Sequence, residues 1–179
     1  MSTALVLGGI GSGKSRFAES LAASLDEPPV YVAPGEMITG DAEWESRIRA
    51  HRRRRPIHWP TVECGAALWE TLRAVEGPVL VDSLGSWLAC VDGFAFDASE
   101  VESVLTARTQ PTLLVSEEVG FSLVPPTAVA RRFADSLGAL NRLVASIAED
   151  VFLVAAGIPV ALKGGRLRPS VGAVWRTDE

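Results

Sequence analysis

Gly8-Gly9-Ile10-Gly11-Ser12-Gly13-Lys14-Ser15 decides how this chain is read. It fits G-x-x-x-x-G-K-[ST], the phosphate-binding loop. Ala4-Leu5-Val6-Leu7 before it reads as a short buried strand, and Ser15 to Ala22 after it reads as a helix. The motif requires that strand–loop–helix setting. Glycines let backbone N–H groups turn inward around an anion where side chains would block it. The helix N-terminus adds partial positive charge. Lys14 then reaches the terminal phosphates, and the Ser15 hydroxyl is a ligand for Mg²⁺.

Outward from this loop, apolar strand-like runs alternate with helical patterns, which predicts an α/β fold with a parallel sheet flanked by helices. Strands are expected at Val30–Ala33, Trp59–Glu63, Val79–Asp82 and Thr112–Ser116, with a terminal strand pair at Val151–Val154 and Ile158–Leu162. Helices are expected at about Asp41–Arg54, ended by Pro56, at Ala66–Ala74, from Asp97 or Ser99 to Arg108, and at Ala128–Ala148. In the last of these, Leu137, Leu140, Val144 and Ile147 recur at helical spacing and are expected to face the core. Pro34–Gly40, 91–97 and Glu117–Pro126 read as loops, and the segment from Lys163 onward as a polar, mobile tail. Within 179 residues these elements fit one nucleotide-binding domain.

Composition narrows the class. Nearly half the residues are apolar, but no apolar run approaches the eighteen or so residues of a membrane helix. The N-terminus enters a strand at once, without the n-region and h-region of a secretory signal, so the expected location is the cytoplasm. Cys64 and Cys90 follow no metal spacing and are expected as free buried thiols. A net charge of −5 argues against nucleic acid as a partner. Positive charge concentrates in Arg52-Arg53-Arg54-Arg55, either a solvated helix end or a phosphate contact.

Two further positions carry chemistry. Asp82 closes the run Val79-Leu80-Val81, where an acid helps hold Mg²⁺ in P-loop proteins; the alternative is an N-cap for the helix that follows. His51 is one of two histidines and shares a helical face with Trp44 and Ile48. A neutral imidazole beside arginines can attack phosphorus, and those arginines would favour its neutral form. From spacing alone, a histidine near a helix end is more often a surface or capping residue. Arg131 and Asp135 form an i, i+4 pair of the kind that decorates solvated helices.

Taken in order, these motifs resemble the adenosylcobinamide kinase/adenosylcobinamide-phosphate guanylyltransferase family of cobalamin synthesis. The resemblance runs from Leu5 to about Val160. It rests on the phosphate loop with Arg16, Tyr31-Val32-Ala33, Arg47-Ile48, His51, Arg55-Pro56, Trp59, Glu63, Val79 to Asp82, Trp87-Leu88, Val115 to Gly120, Val124-Pro125, Arg131 to Asp135, Gly138 and Asn141. The Arg-Ile-x-x-His segment is its most specific part.

The resemblance implies a RecA-like P-loop fold, often trimeric, and two activities. One phosphorylates the aminopropanol hydroxyl of adenosylcobinamide with ATP or GTP. The other transfers GMP from GTP to that phosphate through a phosphoramidate on histidine, and His51 matches that histidine. Arg52 to Arg55 and Glu63 match the segment that contacts guanine nucleotide, and Ala33-Pro34-Gly35 joins the nucleotide-binding set. The chain also departs from the pattern. Glu117 stands where the family usually has Asn, Ser122 replaces a glycine, Arg142 replaces Gln, and Ala33-Pro34-Gly35 replaces an Ala-Thr stretch. These changes border the inferred site and lead us to expect one weakened activity, with guanylyl transfer keeping its histidine. The competing readings are another small-molecule P-loop kinase, with His51 incidental, and a nucleotide-dependent binding switch.

Overall fold

Parallel strands buried on both faces must be apolar along their whole length, not in alternation. Leu5–Val6, Val79–Val81 and Leu113–Val115 are of this kind, with almost no exposed surface. A computed structural model describes residues 3–35, 56, 58–121, 123–165 and 167. In it these runs form the centre of a seven-stranded sheet. The strands are β1 (Thr3–Gly8), β2 (Val30–Ala33), β3 (Thr61–Glu63), β4 (Val79–Asp82), β5 (Thr112–Glu117), β6 (Asp150–Ala155) and β7 (Ile158–Lys163). Their order across the sheet is β3-β2-β4-β5-β1-β6-β7. Every pairing is parallel except β6 with β7, the hairpin at one edge.

Five α-helices among the described residues connect the strands: α1 (Lys14–Ala22), α2 (Leu68–Ala74), α3 (Leu84–Cys90), α4 (Ala98–Ala107) and α5 (Ala128–Ile147). A 3₁₀ turn at Asp92–Phe94 interrupts the segment read as a loop. The alternation of strand side chains divides the core in two. Leu5, Leu7, Val79, Val81 and Leu114 point to the face covered by α2 to α5, where Trp69 meets Trp87 edge-on at 5.2 Å. Ala4, Val6, Leu80, Leu113 and Val115 point to the face where Phe17, Ala18 and Leu21 of α1 pack with Trp59. There Phe17 meets Phe152 of β6 edge-on at 5.1 Å.

Local chemistry sets the helix boundaries. Asp97, not Ser99, caps α4; the Ser99 hydroxyl, and then the Ser99 and Glu100 amides, donate to its carboxylate and hold it below the usual range. Thr127 caps α5 through the Ala130 amide. Leu137, Leu140 and Val144 of α5 are buried, and Ile147 packs against them half-buried.

Three expectations need correction. β3 begins at Thr61, because Trp59 is committed to the α1-side core. β5 extends through Glu117, whose backbone still pairs with Gly8 of β1, so this residue closes a strand and does not open a loop. The cysteines are free but only half-buried, since both lie at element ends near Pro34. The Cys90 thiol donates to the Pro34 and Ser86 carbonyls, and partial burial pushes the Cys64 thiol up. The helix expected at Asp41–Arg54, with Trp44, Ile48 and His51, lies outside the described residues. So do most of the Pro34–Gly40 loop, Ser122 and nearly all of the tail.

Candidate nucleotide-binding site

Because β1, β2, β4 and β5 run parallel, their C-terminal ends fall on one edge of the sheet, and the residues that follow them meet there. β1 delivers the glycine loop. Gly13, the residue before α1, has φ of 93°, a left-handed conformation that a side chain would strain. That turn starts α1 at Lys14, whose amide lies 3.4 Å from the Ser12 hydroxyl oxygen.

Lys14 is 9% exposed. Its ammonium donates to the Gly9 carbonyl at 3.5 Å and lies 3.4 Å from Glu117 Oε1. A buried ammonium needs such partners to offset its lost hydration. The next residue, Ser15, donates its hydroxyl to Asp82 Oδ1 at 3.1 Å. Tyr31, two residues from the end of β2, donates its hydroxyl to Asp82 Oδ2 at 2.6 Å. Both carboxylate oxygens of Asp82 are therefore held by uncharged hydroxyls.

The N-cap alternative for Asp82 does not hold. Ser83 caps α3, accepting from the Ser86 amide at 3.1 Å, so the cap falls one residue later and the aspartate bonds Ser15 at the loop instead. On the next strand, Glu117 Oε2 accepts from the Ser83 hydroxyl at 3.1 Å. Asn141, buried on α5, donates its amide to the Glu117 carbonyl at 2.9 Å and fixes the end of β5.

The remaining sequence candidates are spread along the same edge. Ala33 ends β2, where its carbonyl accepts from the Cys64 amide, Pro34 follows it, and Gly35 lies against Ser86 of α3. Glu63 ends β3 at the sheet margin, four strands from β1, or about 19 Å by ordinary strand spacing. The structure therefore gathers Gly8 to Ser15 and Asp82 and leaves Glu63 apart from them. His51 and Arg52 to Arg55 lie outside the described residues. Arg131 donates to the Pro125 and Pro126 carbonyls at 2.9 Å each, which ties the preceding loop to α5.

Sequence reasoning missed Tyr31 as a partner of Asp82. The signal was present: it is the chain's single tyrosine, set in a strand that must be buried on both faces, where a hydroxyl requires a partner. It also missed Ser83 and the Glu117–Lys14 pairing, which bring together strands far apart in sequence and leave no local pattern.

Comparison with known proteins agrees with this architecture. A family model described as cobinamide kinase / cobinamide phosphate guanyltransferase matches residues 4–162. The bifunctional adenosylcobalamin biosynthesis protein CobP of Pseudomonas aeruginosa is 40% identical, over 89% of this chain and 96% of that protein. The corresponding protein CobU of Escherichia coli is 34% identical, over 89% of this chain and 98% of that protein. A solved structure from Pyrococcus horikoshii OT3 shares the fold with a TM-score of 0.52 and 11% identity, covering 92% of this chain and 87% of that one. The family match across nearly the whole sheet, together with such relatives, shows that the chain belongs to the cobinamide kinase / cobinamide phosphate guanyltransferase family, whose members are transferases.

Proposed function

We propose that this chain catalyses both reactions of its family. It phosphorylates the aminopropanol hydroxyl of adenosylcobinamide from ATP or GTP. It then transfers GMP from GTP to that phosphate, giving adenosylcobinamide-GDP and pyrophosphate. The observation that carries the reading is the glycine loop itself, with Lys14 folded back onto the Gly9 carbonyl and the next residue, Ser15, bonded to Asp82. That arrangement supplies a fixed cation, converging amides and a hydroxyl–carboxylate pair where a polyphosphate would lie.

Each residue then has a task. The amides from Gly8 to Ser15 cradle the phosphates, and Lys14 draws charge from the terminal ones. Ala33, Pro34, Gly35, Arg52 to Arg55 and Glu63 contribute to the nucleotide-binding edge. For guanylyl transfer, a ring nitrogen of His51 attacks the α-phosphorus of GTP. A P–N bond forms as the bond to pyrophosphate breaks, and pyrophosphate departs with its electron pair. A phosphate oxygen of the acceptor then attacks the same phosphorus, the P–N bond breaks, and the imidazole is restored.

The donor set fits Mg²⁺. The Ser15 hydroxyl and Asp82 carboxylate are hard oxygens placed side by side, and the described residues hold no cluster of three or more His, Cys, Asp or Glu that would build an all-protein metal cage. Such a site holds the ion through one or two side chains and the substrate phosphates. When bound, Mg²⁺ offsets charge on those phosphates.

The edge also suits a bulky acceptor. Ile10 in the glycine loop and Phe121, Leu123 and Val124 beyond β5 are strongly exposed, an apolar margin of the kind a corrinoid can cover. No helix among the described residues is long and apolar enough to cross a membrane. We infer a cytoplasmic enzyme that acts on small molecules without nucleic acid and works as a homo-oligomer, a trimer by its family resemblance.

The test supplies purified protein with adenosylcobinamide, GTP and Mg²⁺ and follows corrinoids by mass spectrometry. Successive appearance of the phosphate and the GDP-linked product is expected. GTP consumption that ignores the corrinoid would overturn the proposal and favour a different kinase or a switch.

A further inference from the structure

Glu117 occupies a slot shaped for its carboxylate. β5 lies between β1 and β4, so the last residue of β5 emerges between the glycine loop and Asp82. Its backbone is fixed on both sides: the Glu118 amide donates to the Gly8 carbonyl at 3.1 Å, and Asn141 holds the Glu117 carbonyl. One carboxylate oxygen faces Lys14 at 3.4 Å, and the other accepts from Ser83 at 3.1 Å. Room for it comes from Gly85 in the first turn of α3, where a Cβ would collide with Glu117 Oε2. The Lys14 side chain is 11% exposed and that of Glu117 29%, so water screens the pair only in part.

The terminal phosphates of a nucleotide need the same ammonium. A carboxylate held against that ammonium lies beside the incoming anion, and like charges at this range in a partly desolvated site repel. The Ser83 hydroxyl offers a second anchor on the side away from Lys14.

Resting on the assignment of Lys14 to the nucleotide's terminal phosphates, we infer that Glu117 is an internal anion that competes with them. In the nucleotide-free protein it holds the lysine in place. On nucleotide entry it yields the ammonium and keeps its bond to Ser83. Glu117 thereby weakens binding of di- and triphosphates and leaves monophosphates, which stop short of Lys14, unaffected. It is a specificity-determining residue for the donor.

The experiment is calorimetric titration of the full chain with GTP, GDP and GMP in the presence of Mg²⁺, comparing wild type, Glu117→Gln and Lys14→Ala. Glu117→Gln is isosteric and keeps a partner for Ser83. It is expected to tighten GTP and GDP about three- to tenfold, the size of a charge-assisted contact discounted for partial exposure, with GMP within twofold. Thermal denaturation gives a second readout. The variant should melt lower without nucleotide and show a larger GTP-induced rise in Tm. If GTP binds Glu117→Gln as it binds wild type or more weakly, while Lys14→Ala loses GTP, Glu117 only positions the lysine and the competition is refuted. If Lys14→Ala keeps wild-type GTP affinity, the phosphate-loop assignment itself falls, and this inference with it.

Discussion

Asp82 and Glu117 end neighbouring strands on the same edge of the sheet, yet their surroundings differ in kind. Asp82 is held by two hydroxyls, Ser15 and Tyr31, which are neutral groups. Those two hydroxyls bring no charge of their own to the carboxylate. Glu117 is held by a hydroxyl and by the ammonium of Lys14, the one charge a polyphosphate needs most. On the proposed reading, two carboxylates one strand apart oppose each other in effect: Asp82 helps to hold a cation, and Glu117 competes with an anion. Two acids at equivalent strand ends thus differ in whether Lys14 is among their neighbours.

That contrast can be broken at several points. Lys14→Ala removes the cation common to the cradle and to Glu117. Both activities are expected to fall about a thousandfold or more, as when a transition-state charge clamp is lost. Steady-state assays of each half-reaction check it, and near-normal GTP turnover would sink the loop assignment. His51→Ala separates the reactions: guanylyl transfer should drop by a comparable factor while GTP binding and corrinoid phosphorylation persist. Guanylyl transfer that survives would make the histidine structural.

Asp82→Asn probes the cation side. It keeps one oxygen for the hydroxyls and removes the charge, so activity should fall about a hundredfold and recover in part as Mg²⁺ is raised. A Mg²⁺-independent loss would make Asp82 a packing residue. Tyr31→Phe sharpens the comparison most gently. It deletes one bond to a charged oxygen and should lower stability by about 1–2 kcal/mol, with activity changed severalfold at most. Denaturant unfolding monitored by tryptophan fluorescence measures the first, and an unchanged midpoint would mean that water replaces the hydroxyl.

Much of the sheet was legible because parallel strands leave a continuous apolar run. Val30–Ala33 and Val79–Asp82 follow from that rule to the residue. The glycine loop was legible because its chemistry is local. Leu137, Leu140 and Val144 were legible through helical spacing, whereas the burial of Asn141 beside them was not read.

Other features were hidden for a physical reason. The placing of β5 between β1 and β4 depends on how helices pack on both faces, which no single segment encodes. Glu117's partners depend on that placing. From sequence, Glu117 was a departure at the start of a loop; only the extended register with Gly8 turns it toward Lys14. The cap at Ser83 was hidden similarly, since Asp82 and Ser83 are both good capping residues and the choice follows from where Asp82 finds Ser15 and Tyr31.

The most direct test of the account is to incubate the protein with α-labelled GTP and Mg²⁺, denature it, and locate the label by mass spectrometry. The account predicts GMP on His51, labile in acid and stable in base, formed by wild type and absent from both Lys14→Ala and His51→Ala. GTP that binds but leaves no label on the protein would contradict it.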